Sequence, residues 1–362
     1  MFLSMVLGCS ELNIINMLRR GVIVIGAGGA GDIVSAYVMC EVLKSLVNVS
    51  KCVPVAILWE RWVLDPYPGP IPRCLIRNAV RNSACVYVSS NTYVVRGFDY
   101  KFRPQASIIA ELSGVTIPGI TLERGVQGIV ECVEELLSEG FDSVIALDVG
   151  GDILAYGYEE SLWSPLADSL TLAALHYFSN RALVAILAPG ADGELDHDYV
   201  IKRIADVGSE GGLVGALGIW RDFMNIYEKL LERLPTEASR APYLALKGVM
   251  GELSIRSGSR RIKITPNTIV TYFLDPQKVL KQQPLPQRLI DTKSLAEAMK
   301  ASEELGIPTE LHLEIEIAKT YGCGPHTIGK IDWRKIKERI KTKLKNTKKQ
   351  ETRTGGQSSG VG

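Results

Sequence analysis

The stretch that decides the fold is residues 21–32, which read GVIVIGAGGAGD. Its first five residues form a short apolar run with branched side chains, which is typical of a strand buried on both faces of a parallel sheet. Residues 33–47 then show a helical pattern, so the glycines lie in a turn between a strand and a helix. A strand, a glycine-rich turn and a helix in this order predict the start of an α/β domain.

Similar apolar runs recur along the chain and predict further strands at 53–59, 85–88, 107–112, 143–147 and 182–187. Helices alternate with these runs, with predicted starts at Thr121, at Ser164, near Asp198 and at Leu213. The last of these helices is predicted to run to Leu234. Strands that alternate with helices predict a Rossmann-like, open and mostly parallel sheet flanked by helices.

The pattern changes after residue 240, where residues 261–264 and 269–273 predict a hairpin or edge strands and residues 294–305 predict a helix. One large α/β domain is therefore expected at residues 21–329, preceded by an N-terminal helix and followed by a C-terminal tail. The predicted parts are the N-terminal helix, the glycine-loop core, the C-terminal subdomain and a basic, partly flexible tail, at residues 1–20, 21–240, 241–329 and 330–362.

The composition excludes several classes of protein. The chain has 362 residues, of which 46% are hydrophobic and 22% are charged, so it is neither disordered nor a small disulfide-stapled module. The 41 basic and 40 acidic residues give a net charge of +1, which argues against a global role on nucleic acid or on a membrane surface. No run of 18 or more apolar residues exists, so no membrane span is predicted.

The cysteines and the tail carry further information. The seven cysteines are odd in number and no two are three residues apart, which favours reduced, buried thiols in a cytoplasmic protein over a zinc ribbon or a disulfide framework. Residues 330–362 hold eleven Lys or Arg and three Asp or Glu, a net charge of +8, and residues 331–344 predict a basic helix. This tail is either an arm that binds RNA or another polyanion, or a solvated tail.

The glycine turn is the most specific local feature of the chain. Gly26, Gly28 and Gly31 match the G-x-G-x-x-G pattern in the strand-to-helix context that it requires. With Gly29 they allow a tight turn and the close approach of a ligand, and the helix N-terminus behind them offers N–H groups to an anion. We therefore predict that these four glycines and Asp32 contact a ligand.

Two observations disfavour NAD or FAD as that ligand. The acid that binds the ribose is expected about 20 residues beyond the turn, but Glu60, which ends the second strand, follows Gly31 by 29 residues. Asp32 also places a carboxylate beside the expected pyrophosphate. Glu60 can still reach the same crevice, so it remains a ligand-binding candidate.

Two further strand ends carry acidic, glycine-bearing loops, whose candidate ligand-binding residues are Asp148, Gly150, Gly151, Asp152, Asp192 and Glu194. Because parallel strands end at one edge of a sheet, we expect these loops to converge with Asp32. Clustered carboxylates need a cation, a polar ligand or a raised pKa, and carboxylates with water suit Mg²⁺. Asp148 and Asp152 are thus the predicted Mg²⁺ ligands and catalytic residues, and His197 is a third acid–base candidate.

The order of these motifs is similar to that of a known family. The glycine turn is followed by WER at 59–61, DPYPGP at 65–70, DVGGD at 148–152 and DGEL at 192–195. This order resembles the mainly archaeal domain-of-unknown-function family 1152, over about residues 15–320. The resemblance implies a cytoplasmic α/β protein of prokaryotic type and supplies no activity. The basic tail lies outside it.

The residues therefore favour an enzyme that binds a small nucleotide-like or phosphorylated metabolite at the carboxyl edge of the sheet. A Mg²⁺-dependent hydrolase, lyase or transferase fits such a site. The alternative is a non-catalytic nucleotide or metabolite sensor, or an RNA-associated protein that uses residues 330–362. A NAD or FAD oxidoreductase is the third hypothesis. The sequence predicts no oligomeric state.

Overall fold

The computed structural model describes residues 20–355, without the side chains of residue 257 and residues 345–355. The helix predicted at residues 1–20 lies outside this range except for its last residue, and residues 356–362 of the predicted tail also lie outside it. Within the described range, no helix is long and apolar enough to cross a membrane.

The strands, in chain order, are β1 (Gly21–Gly26), β2 (Lys51–Ile57), β3 (Ile76–Arg77), β4 (Arg81–Asn82), β5 (Val86–Val88), β6 (Tyr93–Arg96), β7 (Tyr100–Phe102), β8 (Ile117–Ile120), β9 (Ser143–Val149), β10 (Ala182–Leu187), β11 (Leu213–Gly218), β12 (Gly251–Ile255), β13 (Arg260–Ile264) and β14 (Val270–Leu274). Nine of them form one sheet in the order β11-β14-β10-β9-β1-β2-β8-β5-β4. Its five central strands, from β10 to β8, are parallel, as the sequence predicted. Antiparallel strands complete both edges.

The helices are α1 (Asp32–Val42), α2 (Gln105–Ser113), α3 (Gly125–Ser138), α4 (Pro165–Leu175), α5 (His197–Ser209), α6 (Met224–Leu231), α7 (Arg240–Leu246), α8 (Pro276–Lys281), α9 (Pro284–Leu289), α10 (Leu295–Leu305), α11 (Glu310–Tyr321) and α12 (Trp333–Gly355). They flank both faces of the sheet. Along β1, Ile23 and Ile25 pack in one apolar cluster with α3 and α4, and Val22 and Val24 pack in the other with α1 and α2. This alternation explains why the strand reads as a continuous apolar run.

Two of the predicted elements are wrong. Residues 107–112, predicted as a strand, belong to α2, whose buried Ala106, Ile109 and Ala110 recur at helical spacing. The helix predicted from Leu213 to Leu234 is instead β11 followed by α6. Its first part is a strand because it pairs antiparallel with β14, a contact with residues more than fifty positions further along the chain.

The C-terminal part of the sheet also differs from the prediction. Residues 261–264 and 269–273 do not pair with each other as a hairpin. β13 pairs with β12 in a separate two-stranded sheet, and β14 inserts between β10 and β11 in the main sheet. Local turn residues predicted the strands, but their partners depend on long-range contacts. The helix predicted at 294–305 is present as α10, with Ser294 as its N-cap.

The prediction of reduced thiols is wrong for four cysteines. Cys40 of α1 forms a disulfide with Cys52 of β2, and Cys85 forms one with Cys132 of α3, with Cα atoms 5.3 and 4.7 Å apart. Each pair joins a helix to a neighbouring strand, on opposite faces of the sheet. Packing of the layers brings these residues together, so sequence spacing alone did not reveal the pairs.

The basic tail is helical and partly packed on the core. In α12, Ile336, Ile340 and Leu344 are buried and recur every fourth residue. They form a small apolar cluster with Trp62 and Trp163, and α12 also contacts α10 and α11. The part of the tail from Trp333 to Leu344 therefore packs against the folded domain.

The strand order brings the candidate loops together at the carboxyl ends of β1 and β9. After β1 the chain moves to β2 on one side, and after β9 it moves to β10 on the other side, although β1 and β9 are neighbours. The two connections leave the sheet in opposite directions at the carboxyl ends of β1 and β9, and open α/β sheets bind ligands in the crevice expected at such a point. The loops that contain Asp32 and Asp148 flank this crevice.

Candidate functional site

The backbone N–H groups of the glycine turn donate hydrogen bonds to other parts of the protein. The N–H of Gly28 donates to Oδ2 of Asp32 at 2.9 Å, and the N–H of Ala30 donates to the carbonyl of Trp59 at 2.8 Å. A Cβ atom on Gly28 would lie 2.9 Å from Asp32 Oδ2 and 3.0 Å from Asp168 Oδ2. This glycine therefore makes room for two carboxylates, and one of them takes the position that a phosphate would need.

Three carboxylates meet at the crevice between β1 and β9. We name Asp32, Asp148 and Asp168 the first carboxylate group, in which one oxygen of each residue lies within 4.8 Å of the others. Asp148 Oδ2 accepts the N–H of Ile153 at 2.8 Å. Asp168 comes from the first turn of α4, is 3% exposed, and its Oδ1 has no hydrogen-bond partner among the described residues.

Three more carboxylates lie next to the first group, at the ends of β9 and β10. Asp152, Asp192 and Glu194 form the second carboxylate group, again with oxygens within 4.8 Å. A Cβ atom on Gly150 would lie 2.7 Å from Cγ of Asp192, so this glycine allows the loops to approach. The side chain of Asp152 is buried, and its Oδ1 has no partner among the residues that the structure describes.

Glu194 is the best-held member of the second group. It accepts the backbone N–H of Trp163 at 2.6 Å and that of Ser164 at 2.9 Å. The hydroxyl of Ser164 donates to it at 2.8 Å, and Arg260 forms an ion pair with it at 3.0 Å. These partners balance the charge of Glu194 inside the protein.

The pKa values of the first group are raised, whereas that of Glu194 in the second group is lowered. Burial raises the pKa of Asp148 to about 7, and the neighbouring Asp192 and Glu194 add to this rise. Burial, followed by repulsion from Asp148, raises the pKa of both Asp32 and Asp168 well above the usual range. Burial also opposes ionisation of Glu194, but Arg260 and Arg256 outweigh it and hold its pKa at about 2. Glu194 is thus ionised, whereas the first group favours bound protons or a bound cation.

A family comparison covers the part of the chain that holds these residues. The model of a protein family of unknown function, DUF1152, matches residues 23–318. The chain belongs to this family. Neither the curated proteins nor the solved structures gave a match. Both carboxylate groups lie within the part of the chain that matches DUF1152, whereas α12 lies beyond it.

Arg61 and Glu310 lie beside the carboxylates within the DUF1152 match. The guanidinium of Arg61 donates to the carbonyl of Gly28 at 3.5 Å. Burial opposes ionisation of Arg61, but Glu310, Glu194 and Asp32 raise its pKa. Glu310 accepts the N–H groups of Leu166 and Ala167, both at 2.9 Å, so it caps the start of α4 and fixes the turn that carries Asp168.

Two predicted site residues have partners away from the carboxylate groups. Glu60 accepts hydrogen bonds from the backbone and the side chain of Gln105, at 2.7 and 2.9 Å, and so holds the start of α2. The two ring nitrogens of His197 lie 2.8 Å from Asp198 Oδ1 and 3.1 Å from Thr265 Oγ1. These contacts give both residues structural roles, and neither belongs to the two groups.

Two predicted glycines serve the packing of elements. A Cβ atom on Gly26 would lie 2.8 Å from the backbone of Asp32, and one on Gly151 would lie 2.5 Å from Val200 of α5. Gly151 also has a φ of +114°, which a residue with a side chain rarely adopts. Gly29 and Gly31 similarly form the turn, with Cβ positions 3.1 Å from the carbonyl of Trp59 and 2.1 Å from Thr236 Oγ1.

The sequence missed several residues of the site. Asp168 had a signal, since it follows the predicted helix start at Ser164-Pro165 by three residues and acids favour the first turn of a helix. Arg260 and Glu310 had none, because they come from β13 and α11, far along the chain from the loops that they contact.

Proposed function

We propose that this protein is an enzyme that binds a divalent cation, with Mg²⁺ the expected one, and acts on a phosphorylated or nucleotide-like metabolite. The observation that carries the proposal is the first carboxylate group: three carboxylates at the crevice, with an unpartnered Oδ1 on the buried Asp168. In the described part of the chain, no Lys, Arg or His nitrogen pairs with this group as Arg260 pairs with Glu194. A Mg²⁺ ion would supply the missing positive charge, and carboxylate oxygens are its preferred protein ligands.

The donor set fits a hard cation such as Mg²⁺, Ca²⁺ or Mn²⁺ better than a softer ion such as Zn²⁺ or Cu²⁺. Asp32, Asp148 and Asp168 offer only oxygen atoms as ligands. Such a cation would supply a Lewis acid for a phosphoryl oxygen. We assign Asp152, whose Oδ1 in the adjacent group is unpartnered among the described residues, the role of proton donor or acceptor. Burial raises its pKa well above the usual range, so its protonated form is favoured before a cation binds. This combination favours hydrolysis or transfer of a phosphoryl group, at the ligand position expected for a Rossmann-like sheet.

Thermal unfolding tests this proposal directly. The protein is titrated with Mg²⁺, Mn²⁺ and Ca²⁺, and then with nucleotides, dinucleotides and sugar phosphates, each with and without Mg²⁺. A ligand at about 100 times its dissociation constant stabilises the native state by about 2.7 kcal/mol. We expect a metal response and a larger response to one phosphorylated class in the presence of metal. The absence of any metal response would contradict the proposal.

Turnover separates the enzyme from a sensor at the same site. The class that stabilises the protein is incubated with it and Mg²⁺, and the products are followed by ³¹P spectroscopy. Conversion that is lost in Asp152→Asn supports catalysis. Tight binding without any conversion over hours would support a non-catalytic metabolite sensor.

A further inference from the structure

Basic side chains gather on the outer side of the second carboxylate group. The Nζ atom of Lys337, in α12, lies 4.6 Å from the centre of the Trp163 ring. The backbone N–H of Trp163 donates to Glu194, which is paired with Arg260. Arg256, in the turn between β12 and β13, acts electrostatically on Glu194 and on Lys337. Three cations from two separate parts of the chain therefore surround one ionised carboxylate.

These cations are only partly balanced by the protein. Arg260 pairs with Glu194, but the side chains of Arg256 and Lys337 form no ion pair or hydrogen bond with any other described residue. Burial, followed by repulsion from Arg260, lowers the pKa of Lys337 to about 8. Burial and Arg260 also lower the pKa of Arg256. Like charges are held together here at a cost, which an anion would relieve.

The backbone at Arg256 supports a specific purpose for this arrangement. Its φ is +50°, in the left-handed region that long side chains rarely adopt. The carboxylate of Glu237 accepts its N–H at 2.9 and 3.0 Å and so holds this conformation. Strained backbone that the surroundings enforce is typical of ligand-binding positions.

A cavity beside α12 has the size of a small metabolite. It has a volume of about 410 Å³ and is lined by Gly157, Glu160, Leu305, Lys341 and Leu344, among other residues. Lys341 also lies 5.5 Å from the centre of the Trp163 ring, on the same helix as Lys337. Lys341 thus lines the cavity and also lies near the ring over which Lys337 lies.

We propose that Arg256, Arg260 and Lys337 bind the phosphate group of the substrate, with α12 as one wall of this site. The three cations outnumber Glu194, the carboxylate of the second group whose pKa is held low, and a phosphate monoester carries about −1.5 to −2 at neutral pH. A guanidinium group can also bind phosphate through two parallel N–H···O hydrogen bonds. The inference rests on the proposed function, because it places the phosphate group of the proposed substrate at these three side chains. The proposed cation would bind at the first carboxylate group.

Binding of inorganic phosphate to the metal-free, full-length protein tests this site. Calorimetry compares the wild type with Lys337→Met, Arg256→Met and the control Lys335→Met, which removes an exposed charge from the same helix. We expect at least a ten-fold weaker binding in the first two variants and no more than a two-fold change in the control. Lys337→Arg should retain binding, which excludes a folding defect as the cause.

The outcomes distinguish this inference from the proposed function. Asp168→Asn should lose the Mg²⁺ response but keep metal-free phosphate binding. If the wild type binds Mg²⁺ but not phosphate, the phosphate site is wrong and the metal site stands. If Lys335→Met and Lys337→Met weaken phosphate binding equally, α12 is a polyanion surface and the inference is overturned. The same conclusion follows if an RNA oligonucleotide binds the protein and these two variants weaken RNA binding equally.

Discussion

The two carboxylate groups share one sheet edge and differ in how their charge is balanced. In the second group, Arg260 pairs with Glu194 and keeps it ionised, with a pKa of about 2. In the first group, burial raises the pKa of Asp148 to about 7, and no basic side chain among the described residues pairs with its three carboxylates. Arg260 thus balances Glu194 alone, because burial raises the pKa of Asp152 and Asp192 in the second group as it does for the first group. The proposed cation would balance the first group.

The strongest way to break this comparison is to remove Asp168. We expect Asp168→Asn to weaken the binding of Mg²⁺ at least 100-fold, because an unpartnered ligand oxygen is lost. The same variant should unfold at a higher temperature than the wild type without metal, because the raised pKa of Asp168 shows that its charge is unfavourable in the native state. Calorimetry and thermal unfolding measure the two effects.

The control for this variant is Asp222→Asn, which removes an exposed carboxylate. It should change neither the Mg²⁺ affinity nor the metal-free stability. If Asp168→Asn binds Mg²⁺ as the wild type does, the first group is not a cation site.

A second test makes the second group resemble the first. Arg260→Met leaves Glu194 buried without its ion-pair partner, and breaking a buried pair in this way costs about 3–5 kcal/mol of the free energy of unfolding. Urea denaturation should show this loss. The control is Arg261→Met at the next position of β13, which breaks an exposed ion pair with Glu252 of β12 and should cost less than about 1 kcal/mol.

The double variant Arg260→Met/Glu194→Gln sharpens this result. Removal of the buried charge should restore most of the lost stability. Equal losses in Arg260→Met and Arg261→Met would show that the counter-ion is unimportant for the second group.

The smallest effect concerns a carboxyl outside both groups. Burial raises the pKa of Glu314 to about 8, despite hydrogen bonds from the Gly69 N–H and the Trp59 indole. The native state thus keeps a proton that the unfolded chain releases near its ordinary pKa of 4.5. The stabilising contribution is complete below that pH and is lost as the pH rises through about 8.

Glu314→Gln should therefore flatten the fall in stability between pH 5 and pH 8 by about 3.5 kcal/mol. Urea denaturation at several pH values checks this, with the exposed Glu252→Gln as the control. If the pH dependence is the same in wild type and Glu314→Gln, it belongs to the carboxylate groups instead.

The sequence predicted the parts of the molecule that depend on local pattern. The apolar run at residues 21–25, the strand at 182–187 and the acidic loops after Asp148 and Leu187 needed no long-range information, and the structure brings these loops together. The strand in β11 was missed because its conformation depends on pairing with β14. Arg260 and Glu310 were missed for the same reason, since only the three-dimensional fold brings them to the site.

The position of α12 has a consequence for how the protein assembles. Leu274 ends β14, the last strand of the main sheet, and Leu344, the last buried side chain described in α12, follows it by 70 residues. At about 5–20 residues per second, a ribosome needs about 4–14 s to make this segment. The nascent sheet can thus form before α12 reaches Trp163, so α12 closes over a sheet that is already complete.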